Sequence, residues 1–285
     1  MRARLVLSCL LLLHVADAGA RTIERIVSLA PNLTELAFAA GAGARVVGTV
    51  EYSDEPAEAR QIQRVGDAFR VDVERILALR PDLVLAWATG TPAATIERLR
   101  ALGLDVREFH TQRIADVPRV VRELGEIAGT SASAERSASE FERTMADLNT
   151  RYGKRAPLRV FLQVNSRPLY TVNGQQIMSE VLELCGGRNI FGDLNQLAPQ
   201  VALEAVIARN PDVIVVSDEG NPHAADDWHK WKQVEAVRTD NVYAVPANDL
   251  TRATTRLTVG AAALCRVLET AREHRAKRVN SSGRD

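Results

Sequence analysis

Glu74–Trp87 reads ERILALRPDLVLAW and Glu204–Ser217 reads EAVIARNPDVIVVS. Glutamate, proline and aspartate stay in register across a separation of 130 residues, Glu204 against Glu74. The first copy predicts a helix over Val73–Leu79, a Pro81-Asp82 turn and a strand over Leu83–Trp87, and the second copy predicts a strand over Val213–Val216. A period this long lies far beyond solenoid spacing of roughly 20–50 residues, so it predicts two similar lobes, each presenting one glutamate at an equivalent point.

Outward from the first copy, apolar strands alternate with helical patterns. Ile26–Leu29 and Val46–Thr49 read as strands around a helix over Asn32–Ala40 that stops at Gly41; Thr95–Leu102 is helical up to Gly103, and Asp105–Phe109 is a strand. The second half repeats the alternation, with a strand at Arg159–Val164, a helix at Ile177–Cys185 closed by Gly186-Gly187, a strand at Val242–Val245 and a final helix over Arg256–Arg272. Between the halves, Ser131–Tyr152 lacks Pro and Gly and spaces Phe141, Met145 and Leu148 along one helical face. The pattern predicts an α/β fold of two Rossmann-like lobes with mostly parallel sheets, joined by a single long α-helix. Residues 21–130 form the first lobe in this reading, 131–153 the connecting helix, 154–275 the second lobe and 276–285 a polar tail that frays. A helical link resists bending because its hydrogen bonds must break first, so large hinge closure is not expected.

The 285 residues are 46% hydrophobic and 25% charged, enough to bury a core in each lobe. Lys plus Arg equals Asp plus Glu at 36 each, which leaves no overall field to draw nucleic acid or an anionic membrane. Arg2 and Arg4, the apolar run Leu5–Val15 and the small residues Ala16, Ala18 and Ala20 follow the order of a secretory signal peptide, so residues 1–20 are expected to be removed. Most of the apolar run follows Cys9, the reverse of a lipoprotein site. Cys185 and Cys265 then remain in an oxidising compartment, where an even count favours one disulfide over two separate buried thiols.

No catalytic constellation is present: there is no P-loop, H-E-x-x-H or G-x-S-x-G, and Gly41-Ala-Gly43 lacks the rest of a dinucleotide fingerprint. His110, His223 and His229 lack a close metal-ligand spacing, although they could converge across a cleft, and no metal site is expected. Ligands of parallel α/β sheets collect beyond the carboxyl ends of strands. That rule gathers the stretches around Pro31, Tyr52, Trp87, Tyr170, Asp249 and Arg252, whose rings suit a broad planar or amphipathic ligand and whose charges add hydrogen bonds. Packing between lobes is the alternative for each ring, and it is the stronger reading for Trp228 and Trp231. For Glu74 and Glu204, the helix dipole favours a carboxylate at a helix start by about 0.3–1 kcal/mol, which alone accounts for one glutamate in each copy. The functional reading is a matched outward pair for a two-fold symmetric basic partner.

Several segments resemble one known family: IVSLAPNLTELAFAAG (Ile26–Gly41), YSDEP (Tyr52–Pro56), VERILALRPDLVLAW (Val73–Trp87), RVFLQV (Arg159–Val164), VLELCGGRNIF (Val181–Phe191) and PQVALEAV (Pro199–Val206). From about Arg25 to Leu268 the chain resembles the periplasmic solute-binding proteins of ABC importers that have a helical backbone, and within them the cobalamin binders. The resemblance implies capture of cobalamin, a corrinoid, as a transported ligand and not a cofactor, with delivery to an inner-membrane ABC permease dimer. It implies no enzymatic step, and ferric siderophore, haem or metal-ion receptors are the alternatives. Its ligand positions fall on Tyr52, Trp87, Asp249 and Arg252, with Pro31 and Tyr170 nearby; its permease-docking glutamates fall on Glu74 and Glu204, and its disulfide on Cys185 and Cys265. Where other cobalamin binders carry further cleft aromatics, this chain has Ala68 beside Phe69, Val164 and Ala198, and Phe69 is the candidate substitute ring. A monomer is expected.

Overall fold

The computed structural model describes residues 23–67, 69–217, 221 and 223–282. The predicted signal peptide, Ala68 and the last three residues of the tail lie outside the described residues. The first lobe holds β1 (Ile26–Ser28), α1 (Pro31–Ala39), β2 (Val46–Thr49), β3 (Gln63–Arg64), α2 (Val73–Ala78), β4 (Leu83–Trp87), α3 (Ala93–Ala101), β5 (Val106–Phe109) and α4 (Asp116–Ile127). The long helix α5 (Ser131–Tyr152) follows. The second lobe holds β6 (Leu158–Gln163), the hairpin β7 (Asn165–Ser166) and β8 (Leu169–Tyr170), α6 (Ile177–Leu184), β9 (Gly187–Asn189), α7 (Leu203–Arg209), β10 (Val213–Val216), α8 (Glu235–Arg238), β11 (Val242–Ala244), α9 (Ala247–Thr251) and α10 (Leu257–Ser282).

Every pairing in the two large sheets is parallel. Their orders are β3-β2-β1-β4-β5 and β11-β10-β6-β9, so strand order reverses beside β1 in the first sheet and beside β6 in the second. Parallel sheets carry helices on both faces, which explains why β4 and β10 read as continuous apolar runs.

The sequence repeat has a structural cause that goes beyond its helix and strand. Asp82 Oδ2 accepts a hydrogen bond from Arg25 N at 3.0 Å, and the equivalent Asp212 Oδ2 accepts from Arg159 N at 2.8 Å. Arg25 Nε donates back to Leu79 O at 2.7 Å, and Arg159 Nη1 donates to Asn210 O at 3.2 Å. The repeated Pro-Asp thus fastens the start of one strand to the start of its neighbour in each lobe. The residue before each proline, Arg80 and Asn210, is left-handed, with φ of 45° and 41°, and ends the repeated helix.

Helix α5 buries Ala134, Ala138, Phe141, Met145 and Leu148, an alternation of four- and three-residue steps along one face. It packs closely on α4, where a Cβ on Gly125 would lie 2.2 Å from Ala134 Cβ. One hydrophobic core runs from Leu85 and Phe109 of the first lobe through Phe141 and Met145 to Val160 and Leu264 of the second. The lobes therefore share a core and are not joined by the helix alone. Cys185 and Cys265 form a disulfide between the end of α6 and α10, within the second lobe.

Sequence patterning passed over the short elements β3, β7, β8, β9 and α9, and it misread two longer ones. It passed over α4, whose apolar stripe Val117, Val120, Val121 and Leu124 is strongly amphipathic. It also stopped the final helix at Arg272, whereas α10 continues to Ser282, because no Gly or Pro interrupts the chain before Gly283.

Candidate functional site

Between the lobes lies a cleft of about 370 Å³. The first lobe supplies Pro31, just beyond β1, and Trp87, at the end of β4, so both stand where the strand order reverses. The second lobe supplies Gln175 and Gln176 ahead of α6, Ala198, and Arg252 at the end of α9.

Local bonds fix these groups. Trp87 N donates to Thr91 Oγ1 at 3.0 Å, and the ring lies so close to Gly90 that a Cβ there would sit 2.0 Å from it. The indole Nε1 is buried without a hydrogen-bond acceptor. Asn32 Nδ2 donates to Thr111 Oγ1 at 3.0 Å, and Gln176 Oε1 caps α6 by accepting from Met178 N at 2.7 Å.

Arg252 is held from behind. Its Nη1 lies 3.1 Å from Oε1 of Glu35, a residue of α1 that is only 6% exposed. Burial pushes the Glu35 carboxyl up, against the hydrogen bonds from Arg252 and Thr254, which hold it down. Further contacts cross between the lobes: Arg256 reaches Glu55 at 3.8 Å, Arg113 reaches Glu180 at 3.4 Å, and Glu180 Oε2 accepts from Ile114 N at 2.8 Å.

Of the residues predicted to bind ligand, Pro31, Trp87 and Arg252 line the cleft. Tyr52 and Phe69 do not; they are 73% and 76% exposed on the first lobe. Tyr170 is half-buried in the β7–β8 hairpin, and Asp249 turns its carboxylate to Arg256. Strand-end position marked Tyr52, Tyr170 and Asp249, and Asp249 is held by Arg256. Sequence reasoning placed Asn32 on the rim, in the stretch Ala30-Pro31-Asn32, and missed Glu35, Gln175 and Gln176. Of the positions where aromatics are lacking, Ala198 lines the cleft and Val164 packs on the core.

Glu74 and Glu204 are both exposed, in the first turns of α2 and α7. Arg98 stands 3.8 Å from Glu74. Trp228 is a packing residue: it is 4% exposed, lies edge-on to Phe161 and donates from Nε1 to Gln163 Oε1 at 2.8 Å. His223 and His229 sit on one turn near Asp226, and no group of three or more His, Cys, Asp or Glu able to hold a metal gathers among the described residues.

The family model described as periplasmic binding protein matches residues 26–248. The chain belongs to the periplasmic binding protein family. Within that family it is 35% identical to a vitamin B12-binding protein of Vibrio cholerae serotype O1 over 254 residues, 88% of this chain and 91% of the other. It is 39% identical over 210 residues to a vitamin B12-binding protein of Yersinia pestis, covering 74% of this chain and 75% of that one. The crystal structure of the periplasmic vitamin B12-binding protein BtuF of Vibrio cholerae superposes with a TM-score of 0.82 at 35% identity, covering 88% and 98% of the two chains. The periplasmic haem-binding protein RhuT of Roseiflexus sp. RS-1, at 24% identity and a TM-score of 0.76, shares the family's two-lobed fold.

Proposed function

We propose that the protein is a periplasmic receptor that captures cobalamin in the cleft between its lobes and delivers it to an inner-membrane ABC permease dimer. The likeness to vitamin B12-binding proteins along nearly their whole length carries this reading. The cleft is compatible with it: an indole ring lines one side and amides and a guanidinium the other, which suits a broad ring with a polar fringe. The exposed rings of Tyr52 and Phe69 add flat surface for a ligand that projects from the cleft, and Tyr170 and Asp249 are the second lobe's further candidates for ligand contact. Residues 1–20 direct secretion, and Glu74 and Glu204 dock one lobe each on the permease.

The shared core and the bridges between lobes favour a preformed cleft, so capture costs little ordering. The protein binds its ligand and does not transform it. Titration of the wild type and of Trp87→Ala with cyanocobalamin tests the site: the variant loses at least about tenfold in affinity. Equal affinity in the two proteins would place the ligand elsewhere.

A further inference from the structure

Arg252 is the one ionisable side chain among the described residues lining the cleft. The other polar groups there are the amides of Asn32, Gln112, Gln175 and Gln176 and threonine hydroxyls. An unopposed guanidinium in such a place would capture a carboxylate, since a charge-assisted pair is among the strongest polar contacts. Here the guanidinium is already engaged by the buried Glu35 carboxylate at 3.1 Å. The next arginine, Arg256, is engaged as well, by Asp249 and by Glu55 at 3.8 Å. Each arginine at the lobe boundary thus faces a carboxylate, and the cleft holds no surplus positive charge. Amides, by contrast, offer both donors and acceptors and match a neutral carboxamide.

We infer that Glu35 is a specificity-determining positioning residue: by neutralising Arg252 from behind, it makes the cleft prefer a ring fringed with neutral carboxamides over one fringed with carboxylates. The inference rests on the corrinoid reading for its natural ligand, because the cobalamin ring carries carboxamides whereas haem carries two propionates. Glu35 acts through Arg252 and does not itself touch ligand, since it is almost wholly buried.

The test compares cyanocobalamin with its monocarboxylic acid, in which one ring amide has been hydrolysed. By calorimetric titration the wild type prefers the amide form by about tenfold. Glu35→Gln, which leaves Arg252 uncompensated, reduces that preference to less than about threefold. Glu35→Asp, which keeps the charge, retains most of the preference, and the double change Glu35→Gln with Arg252→Gln restores it, a rescue that a purely structural role for Glu35 would not produce. An unchanged preference in Glu35→Gln that is folded by circular dichroism overturns the inference. A second measurement needs no variant: in wild type, affinity for the monocarboxylic acid varies by less than about twofold between low and high salt, and a steep loss with salt would expose a free Arg252 and overturn the inference. Failure of the corrinoid reading is separable. Should the wild type bind haemin and no corrinoid, Glu35 is read on haemin against its dimethyl ester: a shift towards haemin in Glu35→Gln upholds its role, and no shift overturns it. Binding of neither ring by the wild type overturns both proposals.

Discussion

Arg252 Nη1 donates to Glu35 Oε1 at 3.1 Å, joining residues 217 positions apart in the chain and on opposite lobes. The bond ties cleft chemistry to lobe stability, because the guanidinium that lines the ligand site also compensates a buried carboxylate.

Removing that partner in Arg252→Ala leaves the buried Glu35 without its hydrogen-bonded cation, and should destabilise the ligand-free protein at pH 7.5 by about 3 kcal/mol in urea unfolding. Burial already raises the Glu35 pKa in the native protein. A carboxyl whose folded pKa exceeds its unfolded one binds protons more tightly when folded, so its effect on stability is most favourable at low pH and is lost as pH rises through the interval above the ordinary carboxylate range. The Arg252→Ala penalty is therefore smaller at about pH 5 than at about pH 7.5. A penalty that does not depend on pH would show that Glu35 is not the group left exposed to the change.

A different network governs the acid side. Arg122 on α4 pairs Glu135 at 2.8 Å and Glu142 at 2.7 Å, both on α5. Its guanidinium holds Glu135 down to about 2 and Glu142 below the usual carboxylate range. Because these folded pKa values are depressed, the stabilisation is complete above the ordinary glutamate value of 4.5 and is lost as pH falls towards about 2. Urea midpoints followed over that interval should fall more steeply in wild type than in Arg122→Ala; parallel curves would deny the network a part in acid unfolding.

The disulfide between Cys185 and Cys265 closes a loop across 80 positions of sequence. Replacing both cysteines with serine should cost about 3 kcal/mol, largely by freeing the unfolded chain. Limited proteolysis then cuts between α6 and α10 before it cuts the first lobe. Early cleavage in the first lobe instead would mean that the two lobes unfold as one unit.

Glu74→Ala combined with Glu204→Ala should abolish transport into cells while leaving cyanocobalamin affinity within about twofold, as both side chains are exposed at the starts of α2 and α7, outside the cleft lining. Uptake assays alongside titration separate the roles. A parallel fall in affinity would contradict docking.

The fold was legible because its signals are local. The strand-end positions of Pro31 and Trp87, the 130-residue repeat and the apolar stripe of α5 are patterns within short windows. The repeated aspartates were visible too, but their work, fastening Asp82 to Arg25 and Asp212 to Arg159, depends on neighbouring strands. Glu35 was illegible for a stronger reason. Within ELAF nothing in the local pattern singles it out, and its partner Arg252 lies 217 positions away in the other lobe. Gln175 and Gln176 carry no periodic signal, so their place in the cleft comes from the tertiary fold alone. Tyr52 and Asp249 show the converse: strand-end position marked them, while a left-handed backbone at Tyr52 and an ion pair between Asp249 and Arg256, neither visible in a short window of sequence, set where their side chains stand.

The central claim, that this family member holds a corrinoid between its lobes, is tested most directly by calorimetric titration of the purified protein with cyanocobalamin, haemin and a ferric siderophore under one set of conditions. The account predicts saturable binding of one cyanocobalamin per chain, at least about a hundredfold tighter than either competitor. Tighter binding of haemin or of the siderophore would contradict it.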